Sequence, residues 1–225
     1  KRLGMIDPRV HEAAEAWISA VVGRYRHHPA LAAWPTQGEP GAMSIPLETD
    51  EDRRRFLAWL QQRYADPQAV HRAWAIYPTK QPLFVASWDD AVAVAGTIRK
   101  GDGMTLSTTG LKHEVFGAQA DLVRFRCEEN RENLRRLVAL IRKYDPDHCV
   151  PIGNHQMFYN QPQLAWDSAE EARVGDMHFT SIHLSWHFEH VAGEVDRPVY
   201  LQSRFTKDFF KGGATSAYET TGGPS

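Results

Sequence analysis

The chain has 225 residues, 42% hydrophobic and 11% aromatic, which is ample for a sizeable globular core. Lys and Arg total 26 against 28 Asp and Glu, and the resulting net charge of −2 excludes the basic face of a nucleic-acid binder and the polybasic patch of a membrane-surface protein. No run approaches the roughly 18 consecutive apolar residues that span a bilayer, and two cysteines, Cys127 and Cys149, cannot form the disulfide framework of a small secreted scaffold.

His11 to Arg26 is predicted helical, because Ala13, Ala14, Trp17, Ile18, Val21 and Val22 recur at three-to-four spacing behind an Asp7-Pro8 start. Leu31 to Trp34 reads as a short buried strand that breaks into Gln37-Gly38-Glu39-Pro40-Gly41. Asp50 to Tyr64 is a second helix with Phe56, Leu57, Trp59 and Leu60 inside and Arg53-Arg54-Arg55 on a solvated face. Asp66 or Pro67 opens a third helix carrying Val70 and Trp74. Residues 76–117 are irregular, broken by proline and glycine, with one small helix at Trp88 to Val94. A long helix follows from about Ala118 to Tyr144, its inner face built from Leu122, Phe125, Leu134, Leu137, Val138 and Ile141. Asp145-Pro146-Asp147 stops it, and His148 to Asn154 is the next strand. Ser168 to Arg173 is a short helix and Asp176 to Leu184 another strand. Pro198 to Lys211 is an amphipathic helix, and Ala214 to Tyr218 a last strand that hands Glu219 to a turn. Lys1 at the start and the turn-like Gly222-Gly223-Pro224-Ser225 at the end suggest a segment of a larger chain.

Helices alternating with strands imply an α/β fold of parallel strands joined by helical crossovers. An open doubly wound sheet and part of an eight-fold barrel both fit that order. No G-x-G-x-x-G or Walker loop follows any strand, which argues against the nucleotide-binding version.

Three constellations bear on chemistry. Glu39 and Glu219 each sit at a strand end, where parallel barrels place their chemistry, and a carboxylate pair is what glycoside hydrolysis needs. His183, His187 and His190 follow as H-x3-H-x2-H, with His155 and His178 nearby. On a helix the 183/187 spacing would suit a metal, but the stretch reads as a strand running into a loop, and no H-E-x-x-H is present. Polar loop residues lining a sugar cleft account for it better. Trp34, Tyr159, Trp166, Trp186, Phe188 and Tyr218 lie at or beyond strand ends, where flat rings can face pyranose sugars. Cys127, within a helix, and Cys149, opening a strand, read as buried, inert thiols.

The segment from Val22 through Arg24-Tyr25-Arg26-His27-His28-Pro29-Ala30-Leu31-Ala32-Ala33-Trp34 to Gly38-Glu39 resembles the catalytic domain of glycoside hydrolase family 42, the barrel-fold β-galactosidases of clan A. The likeness continues through Arg54 to Tyr64, His71 to Trp74, Ser87 to Asp90, Arg142 to Asp147, the strand with Asn154, and Tyr200 to Lys211. The resemblance implies a (β/α)8 TIM barrel of which residues 1–225 are a partial catalytic domain covering strands four to seven, with an irregular insertion at about 76–117. It implies Glu39 as general acid/base and Glu219 as nucleophile; Asn154, His155, His183 and Trp186 are the candidates to line the sugar subsite. It implies a carbohydrate substrate, no cofactor, and a full-length homo-oligomer, the family being trimeric. Two departures stand out. Gly38 occupies the place of the family's usual Asn, whose contact to the substrate 2-hydroxyl strengthens in the transition state. Many members also carry a cysteine-rich zinc site after the acid/base; Ala42 to Arg53 contains no cysteine, so no metal is expected here. A non-catalytic carbohydrate-binding relative and a metal-dependent hydrolase built on His183, His187 and His190 are the alternatives. Localisation is not legible.

Overall fold

A computed structural model describes residues 5–36, 45–74, 85–100, 106–108, 116–154, 167–171, 173–183, 196–209 and 214–221. In chain order its elements are α1 (Pro8–Tyr25), α2 (Asp50–Arg63), α3 (Pro67–Ala73), α4 (Trp88–Gly96), β1 (Ile98–Lys100), β2 (Leu106–Thr108), α5 (Phe116–Tyr144), β3 (Pro151–Asn154), α6 (Ser168–Glu171), β4 (Met177–His183), α7 (Asp196–Phe209) and β5 (Ala214–Thr221). They fall into two compact units: residues 1–41, 129–161 and 166–225 form the sheet unit, and residues 42–128 with 162–165 form the helical unit.

The sheet unit is built on parallel strands in the order β3-β4-β5. Pro151 aligns with Met177 and Asn154 with Thr180; Met177 aligns with Ala214 and His183 with Thr221. A fourth segment joins beside β3, where Ala33 bridges Cys149 in parallel, Trp34 N donates to Cys149 O at 2.9 Å and Thr36 N to Pro151 O at 3.1 Å. Pairing therefore begins within the predicted Leu31–Trp34 strand, at Ala33, and runs past its end to Thr36. These four strands follow chain order without the reversal that marks a doubly wound sheet.

In the same unit α1 begins at the expected Asp7-Pro8 start, where the Asp7 carboxylate caps it by accepting from Arg9 N at 2.9 Å and Pro8 suits the first helical position. Ile18 and Val22 are buried, whereas Trp17 is 67% exposed and does not belong to the inner face. Leu134, Val138 and Ile141 of α5 are buried as predicted, and Leu137 is half-buried. Gly175 admits a close approach: a Cβ there would lie 2.5 Å from Ile152 Cγ1.

The helical unit owes its elements to caps. Thr49 with Asp52 and Ser87 with Asp90 form reciprocal capping boxes at α2 and α4, and Asp66 caps α3 ahead of Pro67. Phe56, Trp59 and Phe125 make its aromatic centre, with ring centroids 5.3–6.1 Å apart. Asp121 accepts from Tyr64 Oη at 2.6 Å and Trp74 Nε1 at 2.8 Å, tying α5 to the ends of α2 and α3. Buried Arg126 donates to the carbonyls of Ile45 (3.2 Å) and Pro46 (2.9 Å) and to Asp52 (3.1 Å). Arg53, Arg54 and Arg55 pair with Asp50, Glu51 and Asp52 one turn earlier, so the predicted solvated face is an ion-paired one, with Arg55 half-buried. The stretch predicted as irregular holds α4 and an antiparallel β1–β2 pair too short to register as alternation. Cys127 and Cys149 are only partly buried, a correction to the expectation. Among the described residues no helix is long and apolar enough to cross a membrane.

Candidate active site

The carboxyl-terminal edge of a parallel sheet gathers the ends of strands that are far apart in sequence. Here it gathers Asn154, the last residue of β3, His183, the last residue of β4, and Glu219 of β5. Asn154 aligns with Thr180, Glu219 with Ser181, and His183 with Thr221. Glu219 lies inside β5, not beyond it as predicted, because β4 runs on to His183 and supplies pairing partners as far as Thr221. The register shifts between Thr180 and Ser181, which adds Tyr218 to β5 just before Glu219. Such bulges re-aim the side chains that follow them and recur beside active sites; nothing in the local sequence signals this one. Placing His183 at the end of a strand agrees with the strand-into-loop reading of that stretch. Glu39, Gly38, His155, Trp186, His187 and His190 lie outside the described residues.

At the opposite end of the same strands, Asp145 forms a polar knot. It is 2% exposed and accepts from Trp34 Nε1 (2.8 Å), Asp147 N (3.1 Å) and His148 N (3.2 Å), with His148 Nδ1 at 2.8 Å. Burial by itself would raise its pKa, but the bonds from Trp34 and the backbone N–H groups outweigh it and hold the carboxyl below its ordinary value.

Two further ionisable groups of the sheet unit were not singled out as site residues. Glu171 is buried on α6; burial pushes its pKa up to about 9, although Oε1 accepts from Asn130 Nδ2 at 2.9 Å. His178, fully buried on β4, is pushed down to about 4 by burial. Both are neutral at neutral pH. A glutamate in a four-residue helix has no apolar period around it to announce burial, and alternation along β4, with Met177 and Phe179 as the apolar pair, puts His178 on the other face.

Among the described residues, no group of three or more His, Cys, Asp or Glu side chains is arranged to hold a metal ion. The donors of a cysteine-rich zinc site do not fit this chain, whose two cysteines stand on α5 and just ahead of β3, far in sequence from residues 42–53.

The sequence pattern of the glycoside hydrolase family 42 beta-galactosidases matches residues 3–214. The chain belongs to that family. A beta-galactosidase from Arthrobacter sp is 30% identical over 149 residues, 66% of this chain but 19% of that protein. Beta-galactosidase LacZ of Lactobacillus acidophilus is 22% identical over 138 residues, again 19% of its length. The crystal structure of beta-galactosidase from the psychrophilic Marinomonas ef1 superposes on 99% of this chain and 33% of its own, with a TM-score of 0.71 at 16% identity. That from Bacillus circulans sp. alkalophilus gives 0.62 over 90% of this chain and 26% of its own, at 18% identity. The family-42 chain thus spans about a fifth of these curated relatives and a quarter to a third of these solved structures. Over the superposed residues it shares the fold of these β-galactosidases, which belong to a TIM-barrel family.

Proposed function

We propose that the chain is the strand-four-to-seven portion of a retaining glycoside hydrolase that removes terminal β-linked sugars, β-galactosides foremost. Residues 1–225 would then be one partial catalytic domain with an irregular insertion at about 76–117. The observation that carries the reading is the family match over residues 3–214, in a sheet whose one edge holds Asn154 and Glu219.

In the first step Glu219, ionised, attacks the anomeric carbon while Glu39, protonated, gives its proton to the departing glycosidic oxygen. The glycosyl–enzyme ester is then hydrolysed by a water that Glu39, now a carboxylate, deprotonates. Asn154, His155, His183 and Trp186 line the sugar subsite. A retaining pair needs its carboxyls about 5–5.5 Å apart. By its family, the full-length protein assembles as a homotrimer.

Hydrolysis of nitrophenyl β-galactoside by the full-length protein, with the first-formed anomer read by proton NMR, tests this. Retained configuration is the expected result; inversion or absence of turnover across a panel of glycosides overturns it. Gly38 favours one second reading, a non-catalytic sugar binder, which predicts binding without turnover in the same panel. Loss of activity on exhaustive chelation would instead favour a metal hydrolase built on His183, His187 and His190.

A further inference from the structure

We infer that Ser181 is a positioning residue for Glu219, set beside it by the register shift in the β4–β5 pair; the inference rests on the assignment of Glu219 as nucleophile proposed above. Thr180 aligns with Ala217, and the next residue of β4, Ser181, aligns with Glu219, so Tyr218 is the extra residue of a bulge. Carried on from Thr180 without the shift, the pairing would set Tyr218 against Ser181 and Glu219 against Ile182. Ile182 has no side-chain hydrogen-bonding group and, by alternation, belongs to the other face of β4. The shift therefore exchanges an aliphatic register partner for one that carries a hydroxyl.

The polarity of β4 changes at the same point. Alternation puts Met177, Phe179, Ser181 and His183 on one face. The first two are apolar and half-buried, and the last two are polar. Packing alone would continue the apolar series. Past the shift, the residues of β5 that align with this face are Glu219, opposite Ser181, and Thr221, opposite His183. Both strands thus turn polar on the same face, in the half that runs to the carboxyl-terminal edge.

Neighbouring strands lie about 4.7–4.9 Å apart. A serine at that separation suits a carboxylate that must stay ionised, because a hydroxyl donates a hydrogen bond to the charged form and does not compete for its proton. Position matters as much as charge for a nucleophile: a displacement of about 1 Å can cost about 10²-fold in rate.

The test uses the full-length protein with Ser181→Ala, which removes the hydroxyl, and Ser181→Thr, which keeps it. A dinitrophenyl 2-fluoro-galactoside traps the nucleophile and counts active sites. The carboxylate oxygen bonds to the anomeric carbon, and dinitrophenolate leaves with the electron pair and needs no proton. The rate constant of trapping at saturation reads the nucleophile alone, and inhibition by galactose reads sugar binding. Ser181→Ala should slow trapping about 10- to 100-fold with galactose affinity changed less than about twofold, and Ser181→Thr should restore trapping to within about threefold of the unaltered protein. An unchanged trapping rate in Ser181→Ala, an equal loss in Ser181→Thr, a matching loss of galactose affinity, or loss of cooperative melting in Ser181→Ala would overturn the inference. Peptide mapping of the trapped protein separates the two claims. Label on Glu219 with no slowing in Ser181→Ala removes the inference alone; label on another residue removes the assignment of Glu219 and the inference with it.

Discussion

In the helical unit, buried polar side chains close on one another: Asp121 takes the Tyr64 hydroxyl and the Trp74 indole, and Arg126 fills three acceptors around Ile45, Pro46 and Asp52. The sheet unit also has such a knot at Asp145, yet it additionally buries Glu171 and His178 with their pKa values displaced to about 9 and about 4. It also contains the candidate site residues that are described, Asn154, His183 and Glu219. The contrast separates two uses of polarity. Mutually satisfied groups under aromatic cover stabilise an arrangement, whereas strand ends on one edge of a parallel sheet present groups to a ligand.

The largest test of that contrast is removal of the nucleophile. Glu219→Gly in the full-length protein should abolish turnover for every leaving group, exceeding the ~10²–10⁴-fold typical of lost acid–base help, and azide should restore a product of inverted configuration. Turnover that survives would place the chemistry elsewhere. Next is Glu39→Ala, where alkyl galactosides should lose about 10²–10⁴-fold while dinitrophenyl galactosides keep their first step, with azide giving retained product. Comparable losses for both substrates would strip Glu39 of the acid/base role.

The helical unit should respond in stability and not in chemistry. Phe56→Ala removes a fully buried ring from the aromatic centre and should cost about 3–5 kcal/mol, read as a lowered denaturation midpoint, with kcat per trapped site unchanged. A large fall in kcat per site would erase the division of labour between the units.

The smallest effect is a pH profile belonging to the sheet unit. Glu171, raised from 4.5 to about 9, makes the folded state bind more protons than the unfolded one, so its contribution to stability falls as pH rises through that window. His178, lowered from 6.5 to about 4, does the reverse, its contribution rising from pH 4 to 6.5. The two slopes oppose each other up to about pH 6.5, above which only the Glu171 decline continues toward pH 9. Glu171→Gln should leave thermal stability flat over that upper range. A persistent decline in the variant would assign the slope to another group.

Much of this architecture could be read before folding was considered. The starts of α2, α3 and α4 follow from Thr49, Asp66 and Ser87, because a cap is a local contract between a side chain and N–H groups two or three residues on. The burial of Phe56, Trp59, Leu60, Leu122 and Phe125 follows from their helical spacing. Trp17 shares the spacing of Ile18 and Val22 but faces out, since periodicity ranks a residue as apolar without saying how wide the covered stripe is. β1 and β2 escaped notice because three residues cannot display a period.

The chemical identities were determined by sequence alone: a family-42 phrase around Trp34 and Glu39, Gly38 in place of an asparagine, and a stretch after Glu39 with no cysteine to bind zinc. Those are facts of residue order. The tertiary structure decided what residue order leaves open: that Ala33, β3, β4 and β5 run side by side, that Glu219 stands within its strand behind a bulge, and that Glu171 and His178 are buried. Strand neighbours are chosen by pairing between segments tens of residues apart, and burial depends on what covers a side chain from elsewhere in the fold. Neither is a property of any local window of the chain.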